Sequence, residues 1–121
     1  DNKDHTQALN LIGDVHGRDV LLIDDEIDTG GSIAQAVQVA KLNGARDVYV
    51  VFIHPVLSPS ASERLVALPV KQFITTNTIP ISLEQKALFG DRLTILSIGP
   101  LLAEVIKRAN EGTSVGAMFN E

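Results

Sequence analysis

Short apolar runs alternate with amphipathic stretches along the chain. Four runs rich in branched residues predict β-strands at residues 20–23, 48–53, 71–75 and 93–98, because branched and aromatic side chains favour extended backbone. The first run is continuous and ends in acidic residues and glycines, which is typical of a parallel strand buried on both faces. The segment between the third and fourth runs contains Pro80 and is expected to be a connection.

Three amphipathic stretches predict helices, at residues 32–42, 60–68 and 100–110. In the first, Ile33, Val37 and Ala40 share one face, Ser32 is available as N-cap and Gly44 follows the end. The last helix carries an apolar stripe of four residues, Leu101, Leu102, Val105 and Ile106. Alternating strands and helices predict one α/β domain, with a mainly parallel sheet flanked by helices.

Composition and charge narrow the possible functions. Ten basic and fifteen acidic residues among 121 give a net charge of −5, and no basic cluster offsets it, so neither nucleic acid nor anionic lipid is expected as a partner. The absence of cysteine excludes thiolate chemistry and fits a cytoplasmic location. There is no apolar run of about 18 residues to cross a membrane. The polar start without Met predicts the interior of a longer polypeptide.

The segment VLLIDDEIDTGGS, residues 20–32, concentrates the candidate chemistry between the first strand and the first helix. Ligands of parallel sheets bind beyond the carboxyl ends of strands. Gly30 and Gly31 permit backbone conformations that let successive N–H groups converge on an anion. The hydroxyls of Thr29 and Ser32 add donors, and the helix start favours negative charge. This turn therefore predicts a phosphate site.

The four acids of the same segment need a different partner, because they would repel a phosphate placed beside them. They are Asp24, Asp25, Glu26 and Asp28. Ionised carboxylates accept hydrogen bonds from sugar hydroxyls and bind Mg²⁺ directly or through water. A ribose phosphate satisfies both halves of the segment. The alternative, a solvated turn with Ser32 only capping a helix, does not account for so many like charges at one strand end.

The string DDEIDTGGS resembles the phosphoribosyl-binding motif of type I phosphoribosyltransferases. Four further segments narrow the likeness to ribose-phosphate diphosphokinases, in the same order along the chain. They are IGDVHGRDV, IHPVLSPSASERL, TTNTIP and LLAEVIKRANEGTSVGAMF. The resemblance covers roughly residues 11–119 and implies a type I phosphoribosyltransferase-like fold.

The resemblance implies an enzyme that transfers the diphosphate of ATP to C1 of ribose 5-phosphate, giving phosphoribosyl diphosphate and AMP for nucleotide biosynthesis. By position, Asp24 and the turn Asp28, Thr29, Gly30, Gly31 and Ser32 would bind ribose 5-phosphate. Asp25 would lie near the ribose, and Asp24 and Asp25 near Mg²⁺, the implied cofactor. Ser32 stands where Thr is usual and keeps the hydroxyl.

The resemblance also implies how this chain fits into a larger enzyme. Residues 1–12 would be the tail end of a mobile catalytic loop region, whose Lys and Arg lie upstream of residue 1, so no catalytic residue is expected in this chain. Residues 13–121 would form the C-terminal domain. That domain would pair with its own N-terminal domain and assemble as a homo-oligomer, a hexamer in the family, and would be inactive alone.

Near the end of the chain, Ser114, Val115 and Phe119 match family positions that bind regulatory ADP or phosphate between subunits. Gly116 stands where some relatives have Ser, and a frayed helix end is the alternative. His54 follows the second strand, where packing, hydrogen bonding or a role in the cleft is open. Residues 75–78 end a strand on the expected ligand side, and strand-end hydrogen bonding or a subunit contact is equally open there. Two other functions also remain open: a non-catalytic regulatory or phosphoribosyl-sensing domain, and a type I phosphoribosyltransferase with a base-specific hood.

Overall fold

The computed structural model describes residues 11–120, which form a four-stranded parallel sheet with helices packed against it. The strands are β1 (Val20–Ile27), β2 (Val48–Pro55), β3 (Gln72–Thr76) and β4 (Leu93–Leu96). They lie in the order β1-β2-β3-β4, and each neighbouring pair is parallel. The predicted α/β class with a parallel sheet is confirmed.

The helices alternate with the strands as the sequence indicates, with one addition. They are α1 (Gly31–Leu42), α2 (Ala61–Val66), α3 (Leu83–Phe89) and α4 (Gly99–Glu111), with 3₁₀ turns at Gly90–Arg92 and Gly116–Phe119. None of the helices within residues 11–120 is long and apolar enough to cross a membrane.

Helix α3 was not predicted, because only a connection was expected around Pro80. Its start is a capping box, in which the Gln85 N–H donates to Ser82 Oγ at 3.1 Å and the Ser82 N–H donates to Gln85 Oε1 at 3.3 Å. The spacing of Ser and Gln three residues apart is a known helix-start signal. The sequence therefore contained the information, and the nearby proline obscured it.

The hydrophobic core lies between the sheet and helices α1 to α3. Helix α1 buries Ile33, Val37 and Ala40, the face that the sequence predicts. The aromatic ring of Phe73 on β3 is fully buried and meets that of Phe89 edge to face, with ring centroids 5.2 Å apart. This contact packs α3 against β3.

The other face of β1 contradicts the prediction of a strand buried on both sides. Leu21 is 55% exposed and Ile23 is 70% exposed, because β1 is an edge strand and no element of residues 11–120 covers that face. The predicted apolar stripe of α4 is likewise exposed, and α4 contains no buried residue. β1 also continues to Ile27, so three of the four acids lie in the strand and not in the expected loop.

We predict that Phe73→Ala lowers the free energy of unfolding by about 3–5 kcal/mol, because it removes a fully buried ring and leaves a cavity. Denaturant-induced unfolding measures the change. Leu88→Ala is the control, since Leu88 is 49% exposed on the adjacent helix and its loss is expected to cost less than about 1 kcal/mol. Equal losses for the two variants would contradict this description of the core.

Candidate functional site

An open cleft lies at the carboxyl end of β1, between the end of the strand and the start of α1. Six of the predicted ribose-phosphate residues line it: Asp24, Asp28, Thr29, Gly30, Gly31 and Ser32. The cleft measures about 150 Å³, less than the roughly 300–1,000 Å³ of most small-molecule sites. The described residues therefore form a site for a small ligand, or for part of a larger one.

The acids divide between the two sides of β1. Because successive side chains of a strand point to opposite faces, Asp24 and Glu26 both line the cleft, while Asp25 does not. The Asp25 carboxylate instead accepts a hydrogen bond from the Glu26 N–H at 3.0 Å. Asp25 is therefore not the site residue that the sequence predicts, and Glu26 is one that it does not predict, because the acids were expected in a loop, where side chains do not alternate between two faces.

The fold makes ionisation of the Asp24 carboxyl less favourable. Partial burial raises the pKa of the Asp24 carboxyl above its ordinary value, and the adjacent Asp25 carboxyl raises it further. The Asp25 N–H, which donates to Asp24 Oδ1 at 2.9 Å, opposes this rise only in part. Ionised Asp24 therefore raises the free energy of the folded chain, and a hydroxyl or a cation in the cleft would reduce that cost.

The turn after β1 leaves its backbone amides available. Gly30, the N-cap of α1, has a φ of 76° and no side-chain cap bond, a left-handed conformation that favours glycine. A Cβ on Gly30 would also lie 3.2 Å from the Leu65 side chain. Within the described part of the chain, the N–H groups of Gly30, Ser32 and Ile33 have no hydrogen-bond acceptor, and such amides are ready donors to an anion.

The expected role of Ser32 as helix N-cap is wrong. The helix begins one residue earlier, at Gly31, so Ser32 lies inside the first turn with its side chain in the cleft. The Gly31 N–H reaches only Thr29 Oγ1, at 3.5 Å, the long limit for such a bond. The hydroxyls of Thr29 and Ser32 therefore remain beside the cleft as additional donors.

Metal binding by protein side chains alone has little support here. Within residues 11–120, no group of three or more His, Asp or Glu side chains is arranged to hold a metal ion. Magnesium commonly binds through one or two carboxylates and takes its remaining ligands from water and substrate phosphates. The carboxylates at the end of β1 fit that kind of site, in which the ligand itself completes the coordination.

His54 lies on β2 beside the acidic end of β1. It pairs in register with Glu26, and its Nδ1 is 2.9 Å from the hydroxyl of Thr78. Thr76 and Thr78 in turn donate to the Ile53 carbonyl, at 2.8 and 3.2 Å. Of the residues left open by the sequence, His54, Thr76 and Thr78 thus form a hydrogen-bonded group at the strand ends, whereas the buried Thr75 hydroxyl has no partner among the described residues. None of them lines the cleft.

The predicted regulatory residues lie apart from this cleft, in the segment that follows α4. The carbonyl of Ser114 accepts a hydrogen bond from Arg108 at 2.8 Å, and the hydroxyl of Ser114 accepts one from the Ala117 N–H at 3.2 Å. Phe119 is 56% exposed. Of the predicted catalytic loop region at residues 1–12, residues 1–10 lie outside the described residues.

Comparison with known proteins gives consistent matches. The model of the family described as the phosphoribosyl synthetase-associated domain matches residues 2–120. A ribose-phosphate pyrophosphokinase of Mycobacterium leprae is 46% identical over 110 residues, covering 91% of this chain and 33% of that protein. The corresponding protein of Wolinella succinogenes is 40% identical over 114 residues, covering 94% of this chain and 35% of that protein.

A solved structure agrees with these sequence matches. The crystal structure of phosphoribosylpyrophosphate synthetase from Mycobacterium smegmatis superimposes with a TM-score of 0.78 at 44% identity, covering 84% of this chain and 33% of that one. The chain spans about a third of the length of the curated relatives it matches. Since the family model extends over almost the whole sequence, the chain belongs to the phosphoribosyl synthetase-associated domain family.

Proposed function

We propose that the cleft after β1 binds ribose 5-phosphate, and that the chain is the ribose 5-phosphate-binding part of a ribose-phosphate diphosphokinase. In that reaction the diphosphate of ATP passes to the C1 hydroxyl of the sugar, giving phosphoribosyl diphosphate and AMP. The observation that carries the proposal is one cleft with carboxylates of Asp24 and Glu26 at one end and free amides of Gly30 and Ser32 at the other. The names of the relatives support it.

The amide end suits the 5-phosphate. The N–H groups of Gly30, Ser32 and Ile33 have no acceptor among the described residues, and the start of α1 contributes about 0.3–1 kcal/mol toward an anion through the helix dipole. The hydroxyls of Thr29 and Ser32 can donate to the remaining phosphate oxygens. Neutral donors of this kind bind a phosphate without requiring a lysine or arginine in the turn.

The carboxylate end suits the ribose hydroxyls. Asp24 accepts hydrogen bonds from vicinal hydroxyls in its ionised form, and those bonds offset the cost of holding its charge in a partly buried position. Mg²⁺ would supply a counter-charge for the transferring diphosphate. Asp24 would hold it through the substrate or water; Asp25 is adjacent in the sequence but does not line the cleft.

The rest of the active site would come from outside this chain. The cleft is too small for both substrates, so ATP and the cationic groups that stabilise the transferring diphosphate are assigned to the remainder of the enzyme. We likewise propose an N-terminal domain, a cytoplasmic location and a homo-oligomer. Regulation through Ser114, Val115 and Phe119 stays a prediction from the resemblance.

We predict that Asp24→Asn in the full-length enzyme raises the KM for ribose 5-phosphate about ten- to a hundredfold, because hydrogen bonds to a charged acceptor contribute about 1.5–3 kcal/mol. AMP release, measured with Mg²⁺ and inorganic phosphate present, reports the change. The KM for ATP is expected to change little.

The control is Asp91→Asn, an exposed carboxylate just before β4, at the opposite edge of the sheet. It is expected to leave both KM values unchanged. Absence of AMP release by the wild-type enzyme with ribose 5-phosphate and ATP would contradict the proposed reaction. A wild-type KM for ribose 5-phosphate in Asp24→Asn would contradict the proposed role of the cleft.

A second prediction concerns stability without ligand. The pKa of Asp24 is raised in the folded chain, so the ionised carboxylate destabilises the fold above that pKa, whereas the neutral acid below its unfolded value does not. Asp24→Asn is therefore expected to raise the free energy of unfolding at about pH 7, and to lose this advantage near pH 3. Urea unfolding at both pH values tests it, and an equal change in the free energy of unfolding at the two pH values would contradict it.

A further inference from the structure

Three consecutive backbone carbonyls at the end of β1 are held by one neighbouring segment, which leads from β2 into α2. Four hydrogen bonds make this connection: Leu57 N–H to the Ile27 carbonyl at 2.9 Å, Ser58 N–H and Oγ to the Asp28 carbonyl at 3.0 and 3.2 Å, and Arg64 Nη1 to the Thr29 carbonyl at 2.8 Å. The carbonyls of the turn are thus directed away from the cleft.

The direction of each carbonyl determines the direction of the following amide. A peptide unit is planar and trans, so its C=O and N–H point in opposite directions. When Arg64 holds the Thr29 carbonyl, the N–H of Gly30 must point away from Arg64. That N–H is one of the free donors at the start of α1. Reversal of this one peptide would replace a donor by a carbonyl oxygen, which repels a phosphate.

The local sequence restrains the Thr29–Gly30 peptide only weakly. Glycine adopts positive and negative φ with similar ease, so Gly30 itself does not prevent its preceding peptide from rotating. Helix α2 supplies the restraint instead. The Leu65 side chain packs against Gly30, and Arg64 binds the Thr29 carbonyl of the same peptide unit.

The segment that provides the restraint is itself held in an unusual conformation. Leu57 has a φ of 44°, a left-handed backbone that a leucine rarely adopts, and it is 5% exposed in the core. Such conformations persist where surrounding contacts enforce them. Here the bonds to the end of β1 and the burial of Leu57 do so, and both fix α2 relative to the turn.

We propose that Arg64 is a positioning residue for the phosphate-binding turn, acting through the Thr29 carbonyl. This inference rests on the proposed function of the cleft and adds a residue to it. Arg64 does not line the cleft, although its Nη1 lies 3.7 Å from where a Cβ on Gly31 would be. We assign its effect to the orientation of the Gly30 amide, which it holds through the Thr29 carbonyl. Because Arg64 is exposed, water competes for the same carbonyl and the effect is moderate.

The test uses the full-length enzyme with Arg64→Ala and Arg64→Lys. In Arg64→Ala without ligand, the amide NMR signals of residues 30–32 are expected to shift and broaden, because the Thr29–Gly30 peptide is no longer held in one orientation. The KM for ribose 5-phosphate is expected to rise about tenfold, with the KM for ATP unchanged. Arg64→Lys should recover part of both effects, since an ammonium group can donate one bond to the carbonyl.

The control is Arg46→Ala, which removes another exposed arginine. Arg46 pairs with Asp19 at 2.7 Å before the first residue of β1, at the end of the strand opposite to the cleft, and its loss should alter neither the amide signals of residues 30–32 nor the KM for ribose 5-phosphate. If Arg64→Ala does not fold, Arg64→Lys and Ser58→Ala, which loses only the hydroxyl bond to Asp28, carry the comparison.

The outcomes separate this inference from the proposed function. Wild-type amide signals and a wild-type KM for ribose 5-phosphate in Arg64→Ala would overturn the role of Arg64, while the cleft could still bind the sugar phosphate. Absence of ribose 5-phosphate binding by the wild-type enzyme would overturn the proposed function and the inference with it. Shifted and broadened amide signals with a raised KM, partly restored by lysine, support both.

Discussion

The planar trans peptide is the constraint on which the candidate site depends. At the end of β1 three carbonyls are bound by the segment before and within α2, and the bond to the Thr29 carbonyl directs the following Gly30 N–H away from Arg64. The start of α1 then adds further free donors, as every helix start does. A phosphate site therefore arises from backbone geometry, and the side chains of Thr29 and Ser32 only supplement it.

The acids add carboxylate acceptors to the same cleft. Asp24 and Glu26 share one face of β1, and the raised pKa of Asp24 indicates that its charge is held at a cost to the empty fold. A ligand with donors at one end and negative charge at the other would relieve both the unsatisfied amides and the confined carboxylate. The fold tolerates this local loss of stability because the buried packing of Phe73 and Phe89 lies elsewhere.

Much of the fold could be predicted from periodicity, and the exceptions have physical reasons. The face of Ile33, Val37 and Ala40 was predictable, because helical spacing is local. Glu26 was missed because the length of β1 depends on pairing with β2, which no local pattern reveals. Arg64 was missed for a similar reason, since it lies 35 residues from Thr29. The exposed face of β1 was unexpected, because the apolar composition of a strand does not show whether other elements cover one of its faces or both.

The most direct measurement is an NMR titration of the intact protein with ribose 5-phosphate and Mg²⁺. The account predicts that the amide signals of residues 24–32 shift together on binding, most strongly at Gly30 and Ser32, where the N–H groups lack acceptors within the described residues. Inorganic phosphate alone should move the signals of residues 30–32 and leave those around Asp24 nearly unchanged. Saturating sugar phosphate that left all of these signals in place would contradict the account.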